Sequence, residues 1–78
     1  PNPATSLTRL KYSMRDENAV RLEVRDIMGA LVNAVRIGRQ PPGEHEYHLD
    51  VSALPDGVYT YSIIADHSQV TRLVTVMH

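Results

Sequence analysis

The stretch that most constrains the fold is a tight turn followed by a strand, residues 54–65. Pro55 presets φ at the second turn position, Asp56 can bond back to its own backbone, and Gly57 tolerates φ values that other residues avoid. From Val58 the residues are mainly aromatic and β-branched, which predicts a strand. One face of this strand carries Tyr59, Tyr61, Ile63 and Ala65. We expect the strand to be central, with its tyrosine face in the core.

Composition limits the chain to one domain and argues against disulfides, thiolate metal sites and a nucleic-acid partner. A chain of 78 residues buries only about 60 to 65% of its unfolded surface, so we expect a single domain over residues 1–78. It contains no cysteine for disulfides or thiolate metal sites. Eight basic and nine acidic residues give a net charge of −1 without charge runs, so we expect no nucleic-acid partner. The sequence opens at Pro1 rather than at methionine, which favours a module of a longer protein.

Period-two alternation predicts further strands at residues 6–14, 19–26 and 46–51. In each of them apolar side chains alternate with polar or charged ones, which is typical of a sheet with one buried and one solvated face. The inward positions are Leu10, Tyr12 and Met14 in the first, Val20, Leu22 and Val24 in the second, and Tyr47, Leu49 and Val51 in the third.

A hairpin is predicted in the middle of the chain. Residues 26–29 form its turn, with Gly29 where a left-handed residue lets the chain reverse. The return strand covers residues 31–37. Its apolar positions on one face are Leu31, Val35 and Ile37, and Asn33 interrupts them. Residues 38–43 hold two prolines between two glycines and predict a loop.

The last strand, residues 70–77, has apolar residues on both faces. A polar hairpin loop, residues 66–69, precedes it. One face carries Val70, Val74 and Val76 with Arg72, and the other carries Leu73 and Met77 with Thr71 and Thr75. Either a bulge shifts the register, or the second face meets another surface. With no helical period, six or seven short strands predict an all-β, immunoglobulin-like antiparallel sandwich.

Candidate chemistry is sparse. His45 and His48 are three residues apart, which places them on opposite faces of a strand, whereas two metal ligands on a strand need even spacing. The residue types of a hydrolytic triad occur without a strand-to-helix elbow or a glycine-flanked nucleophile; they are Ser52, Ser62, Asp66 and His67. The four glycines are isolated and form no phosphate loop. We therefore expect no enzyme, no cofactor and no metal site.

Four segments together resemble the type A C-terminal sorting domain of type IX secretion. They are residues 1–3, 24–29, 54–59 and 72–74, and the resemblance spans the whole chain. The residues that carry it, or that continue its last strand, are Pro1, Asn2, Pro3, Asp26, Gly29, Gly57, Tyr59, Arg72, Leu73, Val74 and Val76. The resemblance implies that Gly29 and Gly57 are structural turn glycines, Tyr59 a strand aromatic, and Arg72 the basic residue that heads an aliphatic last strand. The ending Met77-His78 departs from the lysine-rich ending of many members.

The resemblance also implies a function and partners. In the family the folded domain is recognised by the type IX translocon, and the passenger ahead of it crosses from the periplasm through the outer membrane. A sortase usually removes the domain and attaches the passenger to surface lipopolysaccharide. Cleavage and retention both stay open for this chain. The last strand either presents its edge or apolar face to the machinery, or merely completes the sandwich. The competing function is an accessory immunoglobulin-like spacer or binding module of a larger extracellular protein.

Overall fold

The computed structural model describes residues 6–78, so Pro1, Asn2 and Pro3 lie outside the described residues. Within this range all regular structure is strand, and the predicted all-β class is confirmed. The six strands are β1 (Leu7–Met14), β2 (Asn18–Arg25), β3 (Leu31–Gln40), β4 (Gly43–Asp50), β5 (Gly57–Ala65) and β6 (Ser68–Val76). Within residues 6–78 no helix is long and apolar enough to span a membrane.

The strands form two antiparallel sheets that pack into a sandwich. One sheet pairs β1 with β4, and the other has the order β3-β2-β5-β6. The strand after the 54–57 turn, β5, is therefore an interior strand beside β2, as its composition predicts. Antiparallel pairing lets each strand bury one face and expose the other, which the alternating sequence requires.

The core lies between the two sheets and takes one row of side chains from each strand. Its buried members are Leu10, Tyr12, Met14, Val20, Leu22, Val24, Leu49, Val51, Tyr59, Ile63, Val74 and Val76. Val35, Ile37, Tyr47, Leu54, Tyr61 and Ala65 pack against this cluster while partly buried. The predicted inward faces of β1, β2, β4 and β5 are thus confirmed.

The predicted loop at residues 38–43 is wrong. Strand β3 continues to Gln40 and pairs with the start of β2, so only Pro41 and Pro42 separate β3 from β4. A register shift makes this possible: Val20 pairs with Gly38, but Arg21 pairs with Arg36, so Ile37 is an extra bulge residue. Gly38 has a φ of +100°, which favours glycine at this position.

A second register shift corrects the expected position of Leu31. Val24 pairs with Asn33 but Arg25 pairs with Leu31, so one residue of β3 is again skipped. Leu31 therefore lies on the outer face beside Arg25 and is half exposed, instead of sharing the inward face of Val35.

The last strand is regular, which excludes the bulge alternative. Nine consecutive residues of β6 pair with β5 without a register shift. The loop before β6 is shorter than predicted, because Ala65 already pairs with Ser68 across Asp66 and His67. Val74 and Val76 are buried, whereas Leu73 on the opposite face is 66% exposed. The second apolar face of β6 therefore meets no other element among residues 6–78.

Candidate recognition surface

The turn before β5 is tied to both strands at one end of the β5–β6 pair, where β5 begins and β6 ends. The Tyr59 hydroxyl donates a hydrogen bond to the Pro55 carbonyl at 2.6 Å. The backbone N–H of His78 donates to Asp56 Oδ1 at 2.9 Å, and His78 Nε2 lies 2.7 Å from the Leu54 carbonyl oxygen. These three contacts fix the turn against the start of β5 and the residues that follow β6.

The β2–β3 turn is built around one carboxylate. Asp26 Oδ1 accepts hydrogen bonds from the N–H groups of Met28 and Ala30, both at 2.9 Å. Backbone bonds from Asp26 to Ala30 and from Gly29 back to Asp26 close the same turn, and Gly29 has a φ of +88°. The turn holds Ile27 and Met28 in solvent, where they are 81% and 87% exposed. Turn positions usually carry polar residues, so this apolar tip is unusual.

The apolar tip lies at the same end of the four-stranded sheet as the end of β6. Arg25 at the end of β2 pairs with Thr60, and Thr60 pairs with Leu73, so these residues form one row across three strands. Beyond this row lie the β2–β3 turn, the start of β5 and the end of β6. We call the exposed apolar residues in and beyond this row the apolar end: Ile27, Met28, Leu31, Val58, Leu73 and Met77.

The two edges of the four-stranded sheet differ in how open they are. Strand β3 has two register shifts and is followed by Pro41 and Pro42, features that discourage pairing with a further strand. Strand β6 has no register shift, no proline and a single charged residue, Arg72. Among residues 6–78 no strand pairs with its outer side. β6 is therefore the edge better suited to accept another strand.

One carboxylate bridges the two arginines on the outer face of β2. Glu23 Oε1 accepts from Arg25 at 3.1 Å, and its Oε2 accepts from Arg21 Nε at 3.4 Å. The hydrogen bond from Arg25 holds the pKa of Glu23 below its usual value. Arg25 also donates to the Gly29 carbonyl at 3.1 Å, which connects this row to the β2–β3 turn.

The histidines lie on opposite faces of β4, as their spacing predicts. His45 stacks on Tyr12, with ring centroids 5.5 Å apart, and its Nε2 lies 2.7 Å from the Pro41 carbonyl oxygen. His48 faces outward, and its Nε2 lies 2.7 Å from Glu46, a contact that lowers the pKa of this carboxyl. In the part of the chain that the structure describes, no three potential metal ligands cluster.

The residue types of a hydrolytic triad are not brought together by hydrogen bonds within residues 6–78. Ser62 Oγ lies 2.8 Å from Thr71 Oγ1 on the outer face of the sheet. Ser52 follows β4, where its backbone N–H donates to Asp50. Asp66 and His67 form the hairpin turn between β5 and β6.

Several residues of this surface were missed by sequence reasoning. The predicted residues Asp26, Gly29, Gly57 and Tyr59 form the two turns, and β6 carries Arg72, Leu73, Val74 and Val76. The contacts of His78 and the exposure of the Ile27–Met28 tip were not expected. The exposure of this tip could have been predicted from the two large apolar residues that stand between Asp26 and Gly29 in a turn.

These features define a class of protein, a small antiparallel sandwich with an open edge strand and an exposed apolar end. The model of the secretion system C-terminal sorting domain family matches residues 1–77, and the chain belongs to this family. Its domain is the C-terminal sorting signal of type IX secretion. The signal interacts with the type IX machinery and leads to export to the outer membrane or cell surface. No curated protein and no solved structure matches the chain.

Proposed function

We propose that the type IX machinery recognises the folded domain through β6, at its open edge and its outward apolar side chains. The observation that carries the proposal is Leu73, which is 66% exposed on a nine-residue edge strand without a register shift. An open edge supplies backbone hydrogen bonds to an added strand, and exposed side chains on alternate positions supply specificity.

The two faces of β6 have separate roles in this proposal. Val74 and Val76 are buried and hold the strand on the core. Leu73 and Met77 point away from that core and are free to contact a receptor, with Arg72 as the single charge on the edge. Substitution of the outward residues therefore leaves the fold intact, while substitution of the inward ones does not.

Membership of the family supports a proposed route for the passenger. We infer that a passenger lies ahead of Pro1, passes through the periplasm with the folded domain, and is delivered by the translocon to the outer membrane and cell surface or the medium. We also infer that a sortase component acts on the domain after this step. The domain itself supplies a binding surface and no catalytic step.

The first experiment fuses the 78 residues behind a fluorescent protein that carries an export signal, in a host with the type IX machinery. We expect fluorescence at the cell surface or in the medium, lost when the translocon is disabled. The mass of the exported passenger reports whether a sortase removes the domain. A folded fusion that stays in the periplasm would contradict the sorting role and support an accessory module.

The second experiment tests the surface. In the same fusion, L73S/M77S should reduce export strongly, because both side chains are outward, at 66% and 53% exposure. The matched control is L7S, because Leu7 is 51% exposed on the other sheet. Equal export of the two variants, with both folded, would refute recognition through β6. Deletion of residues 74–78 is unsuitable, because it removes two core valines and unfolds the domain.

A further inference from the structure

Two arginines face each other directly across neighbouring strands of the four-stranded sheet. Arg21 of β2 and Arg36 of β3 are paired residues. Like charges directly opposite in an antiparallel pair destabilise a sheet. A local conflict of this kind, without a structural gain, is typical of a functional site.

The bulge at Ile37 creates this pair. Before the shift Val20 pairs with Gly38, so continuous pairing would set Ile37 against Arg21 and Arg36 against the buried Leu22. The extra residue instead turns Arg36 to the outer face beside Arg21. Bulges are known to re-aim side chains next to binding sites.

The guanidinium groups remain available to a ligand. Arg36 makes no ion pair or side-chain hydrogen bond with any of the residues 6–78. Arg21 contacts Glu23 through Nε, and Arg39 on the same strand as Arg36 contacts Glu17 through Nε at 3.0 Å. Both contacts use Nε, and the terminal nitrogens of Arg21 and Arg39 make no further contact of this kind with residues 6–78.

A shallow basin of about 580 Å³ lies beside these arginines. Ala19 and Gly38 line it with little side-chain bulk, and Ile64 lines it with apolar surface. Arg39 also lines it. Among residues 6–78, Asp66 is the one acidic residue that lines it. A second depression of about 260 Å³ is also lined by both Arg21 and Arg36.

We propose that this basin is a binding site for a phosphate monoester on a small organic group. The planar fork of an arginine matches two phosphate oxygens, and a bound dianion relieves the repulsion between Arg21 and Arg36. Ala19 and Ile64 supply apolar contact for the organic part. The site lies at the opposite end of the sheet from the apolar end, so it is independent of the proposed recognition through β6.

The test is a titration of the 78-residue domain, followed by NMR of backbone amides and arginine side chains at low salt. Inorganic phosphate probes the oxyanion site alone, phenyl phosphate adds apolar contact, and phosphatidic acid vesicles present the same group on a lipid. We expect saturable shifts at Arg21 and Arg36, with tighter binding of phenyl phosphate than of inorganic phosphate. Binding to vesicles but not to phenyl phosphate would overturn the small-molecule assignment.

Variants separate a built site from general charge attraction. R36Q should weaken phenyl phosphate binding about tenfold, the loss expected for a charge-assisted contact. R9Q removes the same charge on the other sheet and should leave binding unchanged. R36Q should also raise the melting temperature of the free domain by about 1 to 6 °C, because it removes the facing charge. Equal weakening by R36Q and R9Q, or no saturation in the unaltered domain, would refute the site.

Discussion

Removal of a single hydroxyl at Tyr59 tests whether the turn before β5 stabilises the domain. The ring of Tyr59 is buried, and its hydroxyl donates to the Pro55 carbonyl at 2.6 Å in a partly buried position. The variant Y59F keeps the ring in the core but removes this bond and leaves the carbonyl without its donor. A hydrogen bond of this kind contributes about 1 kcal/mol net, and an unsatisfied buried acceptor costs up to about 3 kcal/mol.

The expected effect is large enough to measure in a domain of this size. A loss of 1 kcal/mol lowers the melting temperature of a 60 to 100-residue domain by about 4 to 8 °C. We therefore expect Y59F to melt at least about 4 °C lower in a thermal scan followed by circular dichroism. Faster amide exchange at Leu54, Asp56 and Gly57 should accompany this shift, because the bond anchors that turn.

The matched control is Y61F, on the same face of the same strand. Tyr61 also packs against the core but makes no side-chain hydrogen bond within residues 6–78. Y61F should change the melting temperature by less than about 2 °C, in keeping with a substitution that breaks no bond. Equal shifts for Y59F and Y61F would show that the Tyr59–Pro55 bond does not stabilise the turn.

Three further predictions concern the turns. G29A should lower the free energy of unfolding by about 1 kcal/mol, because alanine resists a φ of +88°; G29N should cost less in the same urea titration, since asparagine tolerates this conformation. D26A should cost about 1 to 2 kcal/mol, because the side-chain carboxylate no longer accepts hydrogen bonds from the N–H groups of Met28 and Ala30; D26N keeps an acceptor and should retain most of the stability. Acidification should also destabilise the domain: the backbone N–H of Ser52 donates to Asp50 and lowers the pKa of this carboxyl, so its contribution is complete above the unfolded value and is lost as pH falls through the folded one. We expect the urea concentration at the unfolding midpoint to decrease as the pH is lowered below about 4. This decrease should be smaller in D50N, and an identical pH profile for D50N would contradict the assignment.

Much of the fold was predictable because the strands are short and amphipathic. In β2 three apolar residues alternate with three charged ones, so only one register buries Val20, Leu22 and Val24. The end of β3 was not predictable in the same way. Gly38 and the two prolines are local turn signals, but pairing with the start of β2 extends the strand past the glycine. Local signals cannot report pairing with a distant segment.

In the candidate surfaces, too, the local features were predictable from the sequence and the features that depend on tertiary pairing were not. The left-handed glycine of the β2–β3 turn was predicted from four consecutive residues, because a tight turn is a local structure. The contact of His78 with Asp56 joins residues 22 apart in sequence, and the pairing of Arg21 with Arg36 depends on one bulge. Both require the tertiary pairing to be known first, so no motif in the sequence indicated either.

The position of β6 makes the fold of the domain depend on the completeness of the chain up to this strand. This strand is the last of the six to be synthesised, yet Val74 and Val76 are among the most deeply buried residues of the core. Loss of β6 by premature termination or proteolysis would therefore leave the earlier five strands without a complete core, in a small domain with little stability to spare. Only a passenger whose chain is intact through β6 would then carry a folded sorting domain. Truncated products would not be exported, and no separate quality-control step would be needed.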